Sequence, residues 1–158
     1  LYDPHQKAFR KGLRRNKNGT YTPDDTLDMS AVYGAFIYGL YDNQEDLHQA
    51  IQTALDRFHF KLEAPGLPRY ENDAYYRSAP DAPSNWWFIV SLWLAQYYLE
   101  CGDENSAQRI ISWVSSQAWP TGVLSEQIDP VSGSERSVAP LCWSQAEFIS
   151  TILDTIKR

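Results

Sequence analysis

Two stretches of this chain hold residues suited to chemistry on a polar, ring-shaped ligand. One is Gly66-Leu67-Pro68-Arg69-Tyr70-Glu71-Asn72-Asp73-Ala74-Tyr75-Tyr76 and the other is Gly122-Val123-Leu124-Ser125-Glu126-Gln127-Ile128-Asp129-Pro130. Each combines carboxylates with small turn-forming residues, and the first adds an arginine and three tyrosines. The C–H faces of a sugar pack on Trp and Tyr rings. Its hydroxyls need charge-assisted partners such as Arg and carboxylate. Cleaving a glycosidic bond needs two carboxyl groups flanking it.

Other chemistries lack their residues. The three histidines, His5, His48 and His59, form no H-x-x-x-H or H-E-x-x-H pattern, and no metal site is expected. No serine lies in a G-x-S-x-G elbow, and there is no glycine-rich phosphate loop. No cofactor is expected. Two cysteines, Cys101 and Cys142, are too few for a disulfide framework or a Cys-based zinc site, so both are read as reduced.

The elements that must position the two stretches read as helices of two kinds. Residues 28–41 and 84–99 are apolar nearly all round, as buried helices are. Residues 45–60 carry one stripe, Leu47, Ala50, Ile51, Ala54, Leu55 and Phe58. Residues 104–118 carry another, Ala107, Ile110, Ile111, Val114 and Ala118. Ser84 is the expected N-cap of the second buried helix and Gly102 its stop. Residues 143–157 read as a further helix with Trp143, Ala146, Ile149, Leu153 and Ile156 inward.

The pattern is a repeated hairpin of inner helix, short turn and outer helix, as in a helical toroid. The returns, 61–83 and 119–142, are much longer than the turns, and such loops are usually functional. With inner helices parallel, both returns fall at one end, where Arg69 and Glu126 are expected to face a common cleft.

Composition narrows the partners. The chain has 158 residues, 43% of them hydrophobic and 14% aromatic, with a net charge of −6. That balance argues against nucleic acid or an anionic membrane. The longest apolar run, 86–95, is half of a membrane span. Residues 1–17 carry six basic residues against Asp3 alone, read as a solvated segment, with Asn18-Gly19 as a tight turn. No signal peptide opens the chain, which favours a cytoplasmic location, although nothing before Leu1 is visible.

The segments "GLPRYENDAYY", "SNWWFIVSLWLAQYYLECGDENSAQ", "GVLSEQIDPVSG" and "APLCWSQAEFI" together resemble the C-terminal part of the family 15 glycoside hydrolases, the glucoamylase family, over roughly residues 25–158. The resemblance implies an all-α fold, helical hairpins of an (α/α)6 toroid with about half of the barrel present. It makes residues 1–158 a single partial domain. It implies inverting cleavage of α-glucosidic bonds, of glucoamylase, glucodextranase or trehalase type.

By the same resemblance Glu126 is the general base and Arg69 binds sugar hydroxyls, with Asp73 holding its guanidinium. Trp87 lines the pocket, Tyr75, Tyr76 and Trp143 are wall candidates, and Asp129 orders the Glu126 loop. Trp86 is assigned to the core, and no role is expected for Glu71 or Glu147. The partners implied are an oligosaccharide or small α-glucoside and the remainder of the barrel. The family's general acid, a glutamate in a W-E-E-like segment, has no counterpart here, so the isolated segment is expected to be inactive. Two alternatives stay open: a non-catalytic carbohydrate-binding or regulatory toroid, and a helical-repeat scaffold whose aromatic loops bind a partner.

Overall fold

A computed structural model describes residues 1–157. The chain forms two compact units: Leu1–His59 with Arg69–Glu71, and Phe60–Pro68 with the residues from Asn72 onward.

The first unit opens with strands, and the basic residues of the first seventeen stay exposed to solvent apart from the half-buried Arg10. Strands β1 (Tyr2–Asp3), β2 (Ala8–Arg15) and β3 (Tyr21–Leu27) form an antiparallel sheet in that order. Asn18-Gly19 turns β2 into β3, with Gly19 at φ +85° and the Asn18 side chain accepting from the Thr20 amide at 3.1 Å. The basic run is stable as a strand because acids face it. Arg10 bonds Asp3 at 2.6 Å and Asp25 at 2.7 Å, and Lys11 meets Asp28 at 3.4 Å.

Helix α1 (Met29–Ile37) follows, capped by Asp28, whose carboxylate accepts from the Ser30 amide at 2.8 Å. It is shorter than the buried helix expected over 28–41. Gly39, at φ +56°, ends it: Gly39 N–H donates to the Phe36 carbonyl and Leu40 N–H to the Ala35 carbonyl. Only Met29, Val32 and Ala35 of α1 are buried, while Ile37, Tyr38 and Leu40 are exposed. Helix α2 (Gln44–Arg57) starts at Asn43, which accepts from the Glu45 and Asp46 amides. It buries Leu47, Ala50, Ile51, Ala54 and Leu55 of the stripe read from the sequence, whereas Phe58 is the half-buried C-cap beyond its last turn. Residues 69–71 pair back onto this unit, Arg69 through its carbonyl to the Met29 amide and Glu71 through its amide to the Leu27 carbonyl.

The second unit is built on α3 (Phe88–Glu100), α4 (Glu104–Gln117) and α5 (Cys142–Ile156). Helix α3 is buried on every side, as its composition requires. Its cap is Trp87 rather than Ser84, whose hydroxyl instead accepts from Arg77 at 3.2 Å. Gly102, at φ +78°, closes α3 as expected, and Asp103 caps α4 by accepting from the Ser106 amide at 3.0 Å. Helix α4 buries Ala107, Ile110, Ile111 and Val114.

Helix α5 departs from the reading. Trp143, Ile149, Leu153 and Ile156 are exposed, and its buried residues are Ser144 and Thr151. Hydrogen bonding explains the rotation. Buried Gln96 of α3 donates to Glu147 at 2.6 Å and to Thr151 at 2.9 Å, and a buried amide is costly unless satisfied.

The all-helical expectation therefore needs correcting in part. The described residues hold five helices and two small antiparallel sheets, the second comprising β4 (Trp86–Trp87), β5 (Gln127–Ile128) and β6 (Glu135–Arg136) in that order. Two-residue strands inside long loops carry no periodicity a sequence could reveal. Among the described residues no helix is long and apolar enough to cross a membrane, and no group of three His, Cys, Asp or Glu side chains could hold a metal.

Candidate active site

In the second unit the sheet β4–β5–β6 ties the two long loops together at the starts of α3 and α5. Trp86 pairs with Ile128 and Trp87 with Gln127, and Gln127 pairs in turn with Arg136. The Leu141 amide, at the N-cap of α5, donates to the Leu124 carbonyl at 3.2 Å. The part of the first loop from Asn72 on and the whole of the second thus share one end of α3 and α5.

Glu126 is half-buried just before β5, its amide donating to the Val138 carbonyl at 3.0 Å. Its Oε2 accepts from the Gln127 side-chain amide at 3.2 Å. Gln127 is fully buried, and its Oε1 accepts from the equally buried Asn85 amide at 2.8 Å. Asn85 also donates to the Tyr76 carbonyl at 2.9 Å.

Trp87 is buried at the foot of α3, and Tyr75 stacks on it with ring centroids 6.0 Å apart and planes 28° apart. Tyr76 meets Tyr75 edge-on at 4.7 Å, and both tyrosines are about half exposed. Buried Asp73 shapes this turn by accepting from the Tyr75 amide at 3.0 Å, while its carbonyl accepts from Arg77 at 2.7 Å. The loop offers an aromatic wall on a rigid base, which is what a sugar ring packs against.

Asp129 braces the Glu126 loop. It accepts from the Val131 amide at 2.9 Å, the Ser132 amide at 3.2 Å and Arg136 at 2.9 Å. The Val131 amide and the Arg136 guanidinium hold its carboxyl well below the usual carboxylate range. Trp86 is a packing residue. Its ring lies flat on the backbone of Gly66, where a Cβ would collide with it, and its edge meets Trp113 at 5.9 Å.

Of the residues read from the sequence, Asp73, Tyr75, Tyr76, Trp87 and Glu126 lie on the two joined loops. Trp143 stands at the start of α5, half exposed, with Trp93 behind it at 6.2 Å. Arg69 belongs to the first unit, its guanidinium over the Tyr70 ring at 4.8 Å. Asn85 and Gln127 stand inside the motifs, yet residue type and spacing alone do not single them out. The signal was there as two amides flanking a tryptophan and a glutamate, but amides mark a site only once their partners are known.

No family model matches the chain. It is 28% identical over 147 residues to an uncharacterized glycosyl hydrolase, MJ1610, of Methanocaldococcus jannaschii, a match that takes in 85% of this chain and 23% of that protein. The chain thus spans about a quarter of the length of that relative. Among solved structures it is similar to a bacterial glucoamylase complexed with acarbose, with a TM-score of 0.71 and 18% identity over 92% of this chain and 23% of that one. It is also similar to a wild-type glycosidase, with a TM-score of 0.67 and 19% identity over 85% of this chain and 37% of that one. A glycosidase in complex with glucose matches equally, with a TM-score of 0.66. These likenesses define the fold as glycosidase-like, of the glucoamylase kind.

Proposed function

We propose that this chain is part of a family 15 glycoside hydrolase that cleaves α-glucosidic bonds with inversion, and that it carries the general-base half of the site. Glu126 takes the proton from the attacking water. Trp87, Tyr76 and Trp143 line the sugar pocket, Arg69 binds sugar hydroxyls at the cleavage point, and Asp73 fixes the turn that presents Tyr75 and Tyr76. The general acid comes from the remainder of the barrel. The observation that carries the reading is the Glu126 carboxylate, held by Gln127 on a strand paired to the one that bears Trp87, on whose ring Tyr75 stacks. The glycosyl hydrolase relative and the glucoamylase-like fold support it.

In an inverting site the two carboxyl groups lie about 6.5–9.5 Å apart, leaving room for a water. The test is the anomer first released from maltose or an aryl α-glucoside by the full-length protein, followed by proton NMR. The β-anomer of glucose is expected. Initial release of α-glucose contradicts the mechanism, and sugar binding without turnover favours a non-catalytic toroid.

A further inference from the structure

We infer that Glu71 is a positioning residue for Arg69: its carboxylate, held by the Leu27 amide and by Arg57, sets the segment from which the arginine reaches a sugar. The inference rests on the hydroxyl-binding role proposed for Arg69.

Residues 69–71 join the first unit as a short segment, with Tyr70 and Asp28 forming an antiparallel bridge at its centre. The Arg69 carbonyl accepts from the Met29 amide at 2.9 Å, and the Glu71 amide donates to the Leu27 carbonyl at 3.0 Å. Pairing this short is marginal without further support. Glu71 supplies that support from its own side chain. Its Oε2 accepts from the Leu27 amide at 2.9 Å. Glu71 thus bonds both the N–H and the C=O of Leu27, and two points of attachment stop the segment from pivoting where one would not. Arg57, in the last turn of α2, adds a third point by pairing with Oε1.

Stability alone does not account for this arrangement. The Arg57 and Glu71 side chains are 39% and 24% exposed, and an ion pair so open to water contributes little to folding. What it fixes is orientation, because one carboxylate is held at once by a helix end and by the end of β3. Leu27 is buried, so the bond from its amide is not readily replaced by one to water. The Arg69 guanidinium lies over the Tyr70 ring at 4.8 Å, and Lys11, itself 3.4 Å from Asp28, lies 3.4 Å from the centroid of the same ring. Tyr70 stands between Arg69 and Glu71 in the chain. A shift of the Glu71 backbone therefore carries the ring with it, and the ring carries the guanidinium. An arginine held in its binding geometry loses less freedom when sugar arrives, so loosening the segment should weaken sugar affinity more than the chemical step.

The test uses the full-length protein and steady-state hydrolysis of maltose. Glu71→Ala removes both side-chain bonds and should raise KM about tenfold while kcat stays within about threefold, because the interaction it supports is made with the bound sugar throughout the reaction. Glu71→Gln keeps an acceptor for the Leu27 amide and loses the charge that faces Arg57, so KM should rise only about threefold. Arg57→Ala should match it, with an unchanged urea midpoint. In an Arg69→Ala background, Glu71→Ala should cause no further fall in kcat/KM, whereas a merely structural loss adds to the first. Glu71→Gln and Arg57→Ala serve if circular dichroism shows Glu71→Ala unfolded. Wild-type KM in folded Glu71→Ala, or in both substitute variants, with Arg69→Ala impaired, overturns the positioning role and leaves that of Arg69 standing. Additive losses in the double variant overturn it as well. Wild-type kinetics in Arg69→Ala remove the hydroxyl-binding role, and the positioning role with it.

Discussion

Helix α3 has two helical neighbours, and its seams with them are built on opposite principles. Toward α4 it meets Ala107, Ile110, Ile111 and Val114, and Phe88 lies against Trp113 at 5.8 Å. Toward α5 it meets Glu147 and Thr151 through Gln96. The α4 seam is held by apolar area removed from water and has little directional preference. The α5 seam is held by hydrogen bonds from Gln96 to Glu147 and Thr151, and the apolar stripe of α5 lies on a different face from that seam. Apolar periodicity therefore identifies the inner face of a helix only where no buried polar partner competes for it.

The largest effect should come from the dry seam. Ile110 is 0% exposed, and Ile110→Ala should cost about 2–5 kcal/mol through lost burial and the cavity left behind. Urea unfolding measures it. A cost below about 1 kcal/mol would mean that the seam closes around the gap.

Gln96→Met should cost less, about 1–3 kcal/mol, by removing the donor to Glu147 and Thr151. If this variant is more stable than wild type, the polar seam is not what orients α5. Trp143→Ala should change stability by about 1 kcal/mol or less, since the ring is half exposed and keeps one aromatic neighbour. A weaker fit of sugar without loss of fold would sharpen the contrast between the seam and the face α5 leaves open.

A further test reads the pH dependence of one buried carboxylate. Asp129 titrates below its unfolded value, so its contribution to stability is complete above about pH 4 and is lost as the pH falls further toward the folded value. The stability difference between wild type and Asp129→Asn should therefore be constant near neutrality and shrink below about pH 4. A difference that grew on acidification would contradict the assignment.

The same contrast explains what could be read in advance. The stripes of α2 and α4 and the all-round burial of α3 were legible because only apolar burial decides them. The stops at Gly39 and Gly102 depend on a positive φ; Gly102 was recognised and Gly39 was not. The β2–β3 hairpin was half visible, through Asn18-Gly19, but its strands are held by Arg10 with Asp3 and Asp25, a pairing that charge counts conceal. In the site, Glu126 and Trp87 stood out by motif. Asn85 and Gln127 did not, because they are 42 residues apart and meaningful only as a bonded pair.

The central claim is that Glu126 activates the attacking water. Its most direct test is the rate of Glu126→Gln on α-glucosyl fluoride beside maltose. Fluoride leaves with little need of a proton, yet the water must still be activated. The account predicts that the variant falls about 10²–10⁴-fold on both substrates with KM little changed. Recovery to near wild-type rate on the fluoride alone would make Glu126 the acid, and wild-type rates on both substrates would leave it with no part in the reaction.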